Sequence, residues 1–207
     1  HTAYRRQRQM CIRDRTNSLK PYACCRHTHA ADYCAQLLRG EHRLEPEHIT
    51  RIADHTYQVA VNTVDNPEPS TPYGYKFSGQ YCTAAMLVYG HLGESAFTPE
   101  ATSDPRVRRL MDKITLVCDP ELEASYQADR NRWAHRLEVT LEDGRVLTRQ
   151  VEYPYGDFNN PFTWAYEHEK FHTLADGVLG PDRVAALVER LPHLEELDDI
   201  NRLFEGL

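Results

Sequence analysis

No stretch of the 207 residues approaches the roughly 18 consecutive apolar residues that a membrane-spanning helix needs. Positive charge is also in short supply. The 24 lysines and arginines stand against 31 aspartates and glutamates, a net −7, which argues against a general nucleic-acid binder. The six cysteines (Cys11, Cys24, Cys25, Cys34, Cys82 and Cys118) are too few and too irregularly spaced for a secreted disulfide scaffold, and read as reduced thiols of the cytoplasm. Repeats and low-complexity tracts are missing too. What is present is an ordinary globular composition: 41% hydrophobic and 27% charged residues, enough for a packed core. The length suits one domain, or one and a small appendage.

The first fifteen residues, HTAYRRQRQMCIRDR, stand apart. They hold five arginines against one aspartate, so the acidity lies wholly in the remainder. The string RQRQMCIRDR resembles translated sequencing-adapter read-through, and no apolar signal-peptide core follows the early charges. The expectation is a non-native segment over 1–15, joined to an N-terminally truncated piece of something longer. The rival reading is a basic arm for an acidic partner.

From Thr16 onward the pattern is that of a folded domain. His29 to Arg39 is helical in pattern, with Gly40 as its stop. Ile49 to Val64 is rich in β-branched residues and predicts a strand, and 66–75 (NPEPSTPYGY) predicts a loop. Ser78 to Tyr89 is apolar almost all round and predicts a buried helix. Asp104-Pro105 is an N-cap followed by proline at the first helical position, predicting a helix to about Asp112. Strands follow over Lys113–Cys118, Arg136–Leu141 and Val146–Tyr153, the last two joined through Asp143-Gly144, a hairpin signal. The tail predicts helices over Thr163–Ala175, Pro181–Leu191 and Leu194–Phe204. The sum is α+β: a small antiparallel sheet with packed helices, followed by C-terminal helices.

Three clusters could carry chemistry. The richest is Lys20 to His29, KPYACCRHTH. Its plain reading is a solvated loop before a helix. Its functional reading is an anion site, in which the helix start, Lys20 and Arg26 hold carboxylates or phosphates while histidine or lysine moves protons. Cys24, Cys25, His27 and His29 there are all metal-ligand types, but adjacent cysteines and a His-x-His pair do not match the usual zinc spacings. The second cluster, His168-Glu169-Lys170-Phe171-His172, is a literal H-E-x-x-H. Its helix is mostly polar, so the expectation is two exposed histidines, with Phe171, Leu174 and Trp164 supplying the core stripe and no metal bound. The third is Lys76 to Tyr81, KFSGQY, at the start of the apolar helix. It suits anion binding or an acid role, or else Tyr81 is simply a core tyrosine.

Taken together, SLKPYACCRHTHAAD, YKFSGQYCTAAMLVYG, LEVTLEDGRVLTRQVEYPYGD and NNPFTW resemble the MmgE/PrpD family, in order and over nearly all the chain beyond Ser18. That family includes 2-methylcitrate dehydratase, cis-aconitate decarboxylase and iminodisuccinate epimerase. The resemblance implies a smaller α+β domain over 16–160 and, over 161–207, C-terminal helices that pack on a large helical domain absent from this chain. It also implies an active site in the cleft between the two domains. It implies no cofactor, a small di- or tricarboxylate substrate, a cytosolic or mitochondrial location, and a homodimer when full length. Lys20 falls on the lysine of the family's K-x-[FY] motif, and Tyr81 on the tyrosine of F-S-x-Q-Y. His27, His29 and Cys25 compete for one catalytic position. The family usually has proline where Ala23 stands and a bulkier residue at Gly79. Residues 127–135 and 165–172 read less like the family than their flanks.

The expected function is therefore that of a lyase fragment. Lys20 would anchor carboxylate charge, His27 or His29 would move a proton, and Tyr81 would donate a hydrogen bond or act as an acid. Arg26 and Lys76 join as carboxylate binders on charge and placement alone. The reaction would be dehydration, or alternatively decarboxylation or epimerisation, with the fragment inactive by itself. Two other readings are a non-catalytic interaction module that exposes an apolar face, and a zinc peptidase.

Overall fold

The computed structural model describes residues 17–205, so the expectation for 1–15 lies outside the described residues. The chain divides into two compact units, one ending at Pro161 and the other beginning at Phe162.

In the first unit, α1 (His29–His42) runs through Gly40 and stops at Arg43, whose backbone is left-handed (φ 49°) and whose N–H bonds the Arg39 carbonyl. Gly40 has open space around it, and an exposed helical glycine costs only about 1 kcal/mol, too little to end the helix. β1 covers Ile49–Thr56 and does not extend to Val64; α2 (Gln58–Val64) takes over after Tyr57. The β-branched run there is helical because tertiary contacts override propensity: Ala60 and Val64, one turn apart, are buried on one face. The Gln58 N–H is met by Glu123 at 2.8 Å. Within the expected loop, Pro72–Tyr75 forms a single helical turn.

The apolar helix is α3 (Gly79–Tyr89), buried on nearly every side and capped by Ser78, whose Oγ accepts from the Tyr81 N–H at 3.1 Å. A Cβ at Gly79 would stand 3.2 Å from a Leu116 methyl, so a bulkier residue needs Leu116 to give way. α4 (Pro105–Met111) begins on the Asp104 cap as expected. β2 (Ile114–Cys118) leads to α5 (Pro120–Ala128), a helix missed in the sequence although Asp119-Pro120 repeats the Asp104-Pro105 signature. β3 (His135–Leu141) and β4 (Val146–Val151) form the hairpin, with Gly144 at φ 84°.

The strand order is β2-β1-β3-β4. The α+β class holds, with one refinement: the sheet is mixed. β1 pairs antiparallel with β3, and β3 with β4, but β1 and β2 run parallel because α2, α3 and α4 carry the chain across between them. α1 packs on β3 and β4, and α3 on β2 and α1, so the core lies between this helical layer and the sheet.

In the second unit, α6 (Trp164–Leu179) and α7 (Pro181–Arg190) pack on each other. The expected last helix is instead two 3-10 turns, Leu191–Glu196 and Ile200–Phe204, because Pro192 follows α7 closely and Asp199 caps a fresh start. The expected core stripe on α6 does not form. Trp164 is 69% and Leu174 57% exposed and Phe171 is only half-buried, while among the described residues of this unit the buried ones are Val184, Leu187 and Leu203.

Leu137 sits fully buried in β3, in register with Asp54 of β1. Leu137→Ala is expected to cost about 3 kcal/mol in urea denaturation of the chain. Val178→Ala, at an 83% exposed site of α6, is expected to stay within about 0.5 kcal/mol.

Candidate functional site

The segment before α1 carries the densest chemistry, and its backbone is pinned at three points. Leu19 N–H bonds the Gly156 carbonyl, Ala23 N–H that of Leu92, and Cys25 N–H that of Lys76, each at 2.8 Å. Residues just before and just beyond α3, and the loop after β4, thus hold it in one path. That path decides which side chains are buried.

His27 is half-buried at the wet side. Its ring stacks on Trp133 (centroids 4.5 Å apart, planes 20° apart), and its Nδ1 lies 2.7 Å from the Tyr57 hydroxyl. Burial, then the neighbouring His135 and Arg26, pull its pKa down to about 4, so the imidazole is neutral at pH 7. Tyr57 is fully buried and stacked on Tyr126 at 4.1 Å. Burial raises its pKa, which keeps the phenol protonated. Among the described residues His27 Nδ1 is the one hydrogen-bond partner of that hydroxyl, so the phenol donates and Nδ1 accepts. The proton of neutral His27 is therefore on Nε2. Beneath Tyr57, buried His135 bonds Asp54 through Nδ1 (2.7 Å) and Thr56 through Nε2 (3.0 Å).

Arg26 lies beside this platform. Its guanidinium stands 5.2 Å from the Trp133 ring centre and forms a 2.5 Å ion pair with buried Asp157, which also accepts from Ser18 Oγ at 2.9 Å. Lys20 is exposed, and its ammonium donates to the Cys24 carbonyl at 3.0 Å.

The inner side of the segment is sealed. His29 is fully buried, edge-on to Tyr22 at 5.2 Å, with Nε2 3.3 Å from the Cys24 carbonyl. Cys25 is buried, and burial raises its pKa, which keeps it a thiol. Thr28 Oγ1 lies 2.7 Å from Asp32 Oδ2, and Cys24 Sγ lies 3.6 Å from the same oxygen. Cys82, from α3, completes this inner cluster.

The other expected site residues stand elsewhere. Tyr81 is fully buried, donates its hydroxyl to the Ala96 carbonyl, and packs against Tyr75 and Phe97. The Lys76 ammonium pairs with Glu94 (2.9 and 3.1 Å), although its own carbonyl holds Cys25. In the H-E-x-x-H stretch both histidines lie on α6 as expected, but they are half-buried, not exposed. His172 Nδ1 bonds Asp176 at 3.0 Å, the next turn of its own helix. Sequence reasoning missed Tyr57, Trp133, Asp157, Asp32 and Cys82. Trp133 falls in the 127–135 stretch that reads least like the family, so nothing marked it. Asp157 is the last residue of a resembling stretch.

A family model, the MmgE/PrpD C-terminal domain, matches residues 22–193. The chain is 32% identical over 136 residues to the mitochondrial 2-methylcitrate dehydratase of Yarrowia lipolytica, covering 63% of this chain and 26% of that protein. It is 35% identical over 111 residues to the 2-methylcitrate dehydratase of Cupriavidus necator (52% and 23%). To the cis-aconitate decarboxylase of Aspergillus terreus it is 28% identical over 206 residues (93% and 40%). The chain spans about a quarter of the length of the first two relatives. By the family model, which spans the pinned segment from Tyr22 onward, the sheet and both helices of the second unit, this chain belongs to the MmgE/PrpD family and carries its C-terminal domain.

Proposed function

We propose that the chain is the C-terminal portion of a cofactor-independent lyase that eliminates water from a small di- or tricarboxylate such as 2-methylcitrate. The observation that carries this reading is the pinned segment itself, which presents an exposed lysine, Lys20, and a neutral, oriented imidazole, His27, seven residues apart. Relatives named 2-methylcitrate dehydratase support the dehydratase reading over decarboxylation or epimerisation.

Dehydration of a citrate-like acid removes a proton from carbon next to a carboxylate and expels the hydroxyl. Negative charge grows on the carboxylate oxygens and on the leaving oxygen. Lys20 supplies a fixed positive charge for a substrate carboxylate. His27 supplies Nε2–H, a directed donor for one of the developing negative oxygens. A neutral imidazole with its proton on Nε2 has no lone pair to offer on that side, so His27 acts as donor and the base comes from another residue. His29, sealed behind Tyr22, and Cys25, a buried thiol, are poor candidates for that base. Arg26, neutralised by Asp157, orients the Trp133 platform in preference to binding substrate. Tyr81, with its hydroxyl spent on Ala96, supports the start of α3. The remaining catalytic groups belong to the larger part of the enzyme, and the whole protein works as a homodimer.

Five outcomes are expected. In the isolated chain, nitrogen-detected NMR of the His27 ring shows the Nε2–H form, with no protonation above about pH 5. Because folding lowers this pKa from its unfolded value near 6.5, the native state resists the proton, and stability declines as pH falls from about 6.5 toward 4. An Nδ1–H tautomer would refute the donor role. In the full-length enzyme, Lys20→Ala is expected to lower kcat/KM for 2-methylcitrate by about 10²-fold or more, and Tyr57→Phe to lower kcat by about tenfold. The 207-residue chain alone is expected to turn over none of 2-methylcitrate, cis-aconitate and iminodisuccinate, and turnover of any of them by the chain alone overturns the fragment reading.

A further inference from the structure

Behind the proposed catalytic face lies a cluster that the lyase chemistry does not use. Cys24 belongs to the pinned segment, Asp32 to the first turn of α1, and Cys82 to the first turn of α3. One ligand atom from each, two sulfurs and a carboxylate oxygen, lie within 4.8 Å of one another, and all three residues are buried. Among the described residues it is the one group of three or more such ligands.

Two further observations mark this cluster as unfinished. Asp32, at 0% exposure, leaves Oδ1 without a hydrogen-bond partner. His29, at 0% exposure and bonded to the Cys24 carbonyl, leaves Nδ1 without one. A buried acid with an orphan oxygen beside two thiols is costly, because burial removes water without replacing what water gave. Thr28 and the Cys24 thiol both reach Asp32 Oδ2, and the Cys82 thiol donates to the Tyr75 carbonyl at 3.6 Å, so Oδ1 alone of the carboxylate is left unmet.

We infer that Cys24, Asp32 and Cys82 form a site for a thiophilic divalent cation of the zinc class, which staples the pinned segment to α3. The distances suit it. Tetrahedral zinc, with bonds of about 2.3 Å to sulfur and about 2.0 Å to oxygen, sets a sulfur–oxygen edge of about 3.5 Å and a sulfur–sulfur edge of about 3.8 Å. Cys24 Sγ and Asp32 Oδ2 stand 3.6 Å apart, and Cys82 Sγ lies within 4.8 Å of both ligands. Paired thiolates select soft and borderline ions, and the carboxylate favours a divalent one over monovalent copper. Binding releases the thiol protons to solvent, with no change of oxidation state. The ion is structural: it joins Cys24 to Cys82 across 58 positions of sequence, and so fixes the segment that carries Lys20 and His27.

The sequence pattern hid this site. Its three ligands are not the four metal-type residues clustered at 24–29, and only Cys24 is shared with them.

The test is made on the whole 207-residue chain. It is loaded with Zn²⁺ and desalted, and its metal content is measured. Co²⁺ loading in parallel reads thiolate ligation through its charge-transfer absorption. About one ion per chain is expected, with a thiolate–cobalt band. Cys82→Ser and Asp32→Asn are each expected to weaken Zn²⁺ binding at least about tenfold, while Cys118→Ser leaves it unchanged. Should Cys82→Ser fail to fold, Asp32→Asn, which keeps the shape of the side chain, is read in its place. Zinc below about a tenth of an equivalent overturns the inference, as does binding that survives Asp32→Asn. A native mass about 2 Da low from a Cys24–Cys82 disulfide overturns it too, since the sulfurs would then be spent on each other.

Discussion

The arrangement of the site depends on three main-chain hydrogen bonds, from Leu19, Ala23 and Cys25 to the carbonyls of Gly156, Leu92 and Lys76. A segment as polar as KPYACCRHTH would ordinarily lie in solvent, because burying unsatisfied amides and carbonyls is costly. These bonds meet that cost and thread the segment between the ends of α3 and the loop after β4. Its side chains then divide by geometry. Lys20 is exposed and His27 half-buried, while Cys24, Thr28 and His29 face the interior. Residues that look equivalent in the sequence, such as His27 and His29, end in opposite chemical environments.

His27 owes its character to groups distant in the chain. Trp133 supplies a flat surface from the approach to β3, and Tyr57 a hydroxyl from the turn between β1 and α2. Tyr57 in turn rests on Tyr126 of α5 and edge-on to His135, which is locked by Asp54 and Thr56. The end of the central strand is thus the foundation of the imidazole. Such support matters because a donor aimed by rigid neighbours needs no reorganisation when charge develops. Burial of the same ring lowers its proton affinity, so orientation and tautomer both come from one packing arrangement.

Much of the fold was legible in local patterns. The apolar run of α3, the Asp104-Pro105 start of α4 and the Asp-Gly hairpin all form where the sequence places them. The strand overrun and the α6 stripe share a cause, which is that local pattern does not show what covers a face. The strand reading of Ile49–Val64 ran past Thr56 because propensity cannot see that Ala60 and Val64 meet the core one helical turn apart. α5 was overlooked although Asp119-Pro120 announced it. In α6 the apolar spacing was real, yet Trp164 and Leu174 remain exposed, because periodicity identifies a face and not what covers it.

The sequence alone determined most of the elements, the family motifs and the short stretch that holds the proposed site. These follow from local sterics, capping and residue type, which act over a few positions. Tertiary structure alone decided that Tyr57 and Trp133 would meet His27, that Tyr81 would give its hydroxyl to Ala96, and that Cys82 would stand beside Cys24 and Asp32. The reason is that tautomer, proton affinity and ligand geometry depend on neighbours within a few ångströms, and those neighbours are brought in from tens of residues away by the packing of α1 and α3 on the sheet.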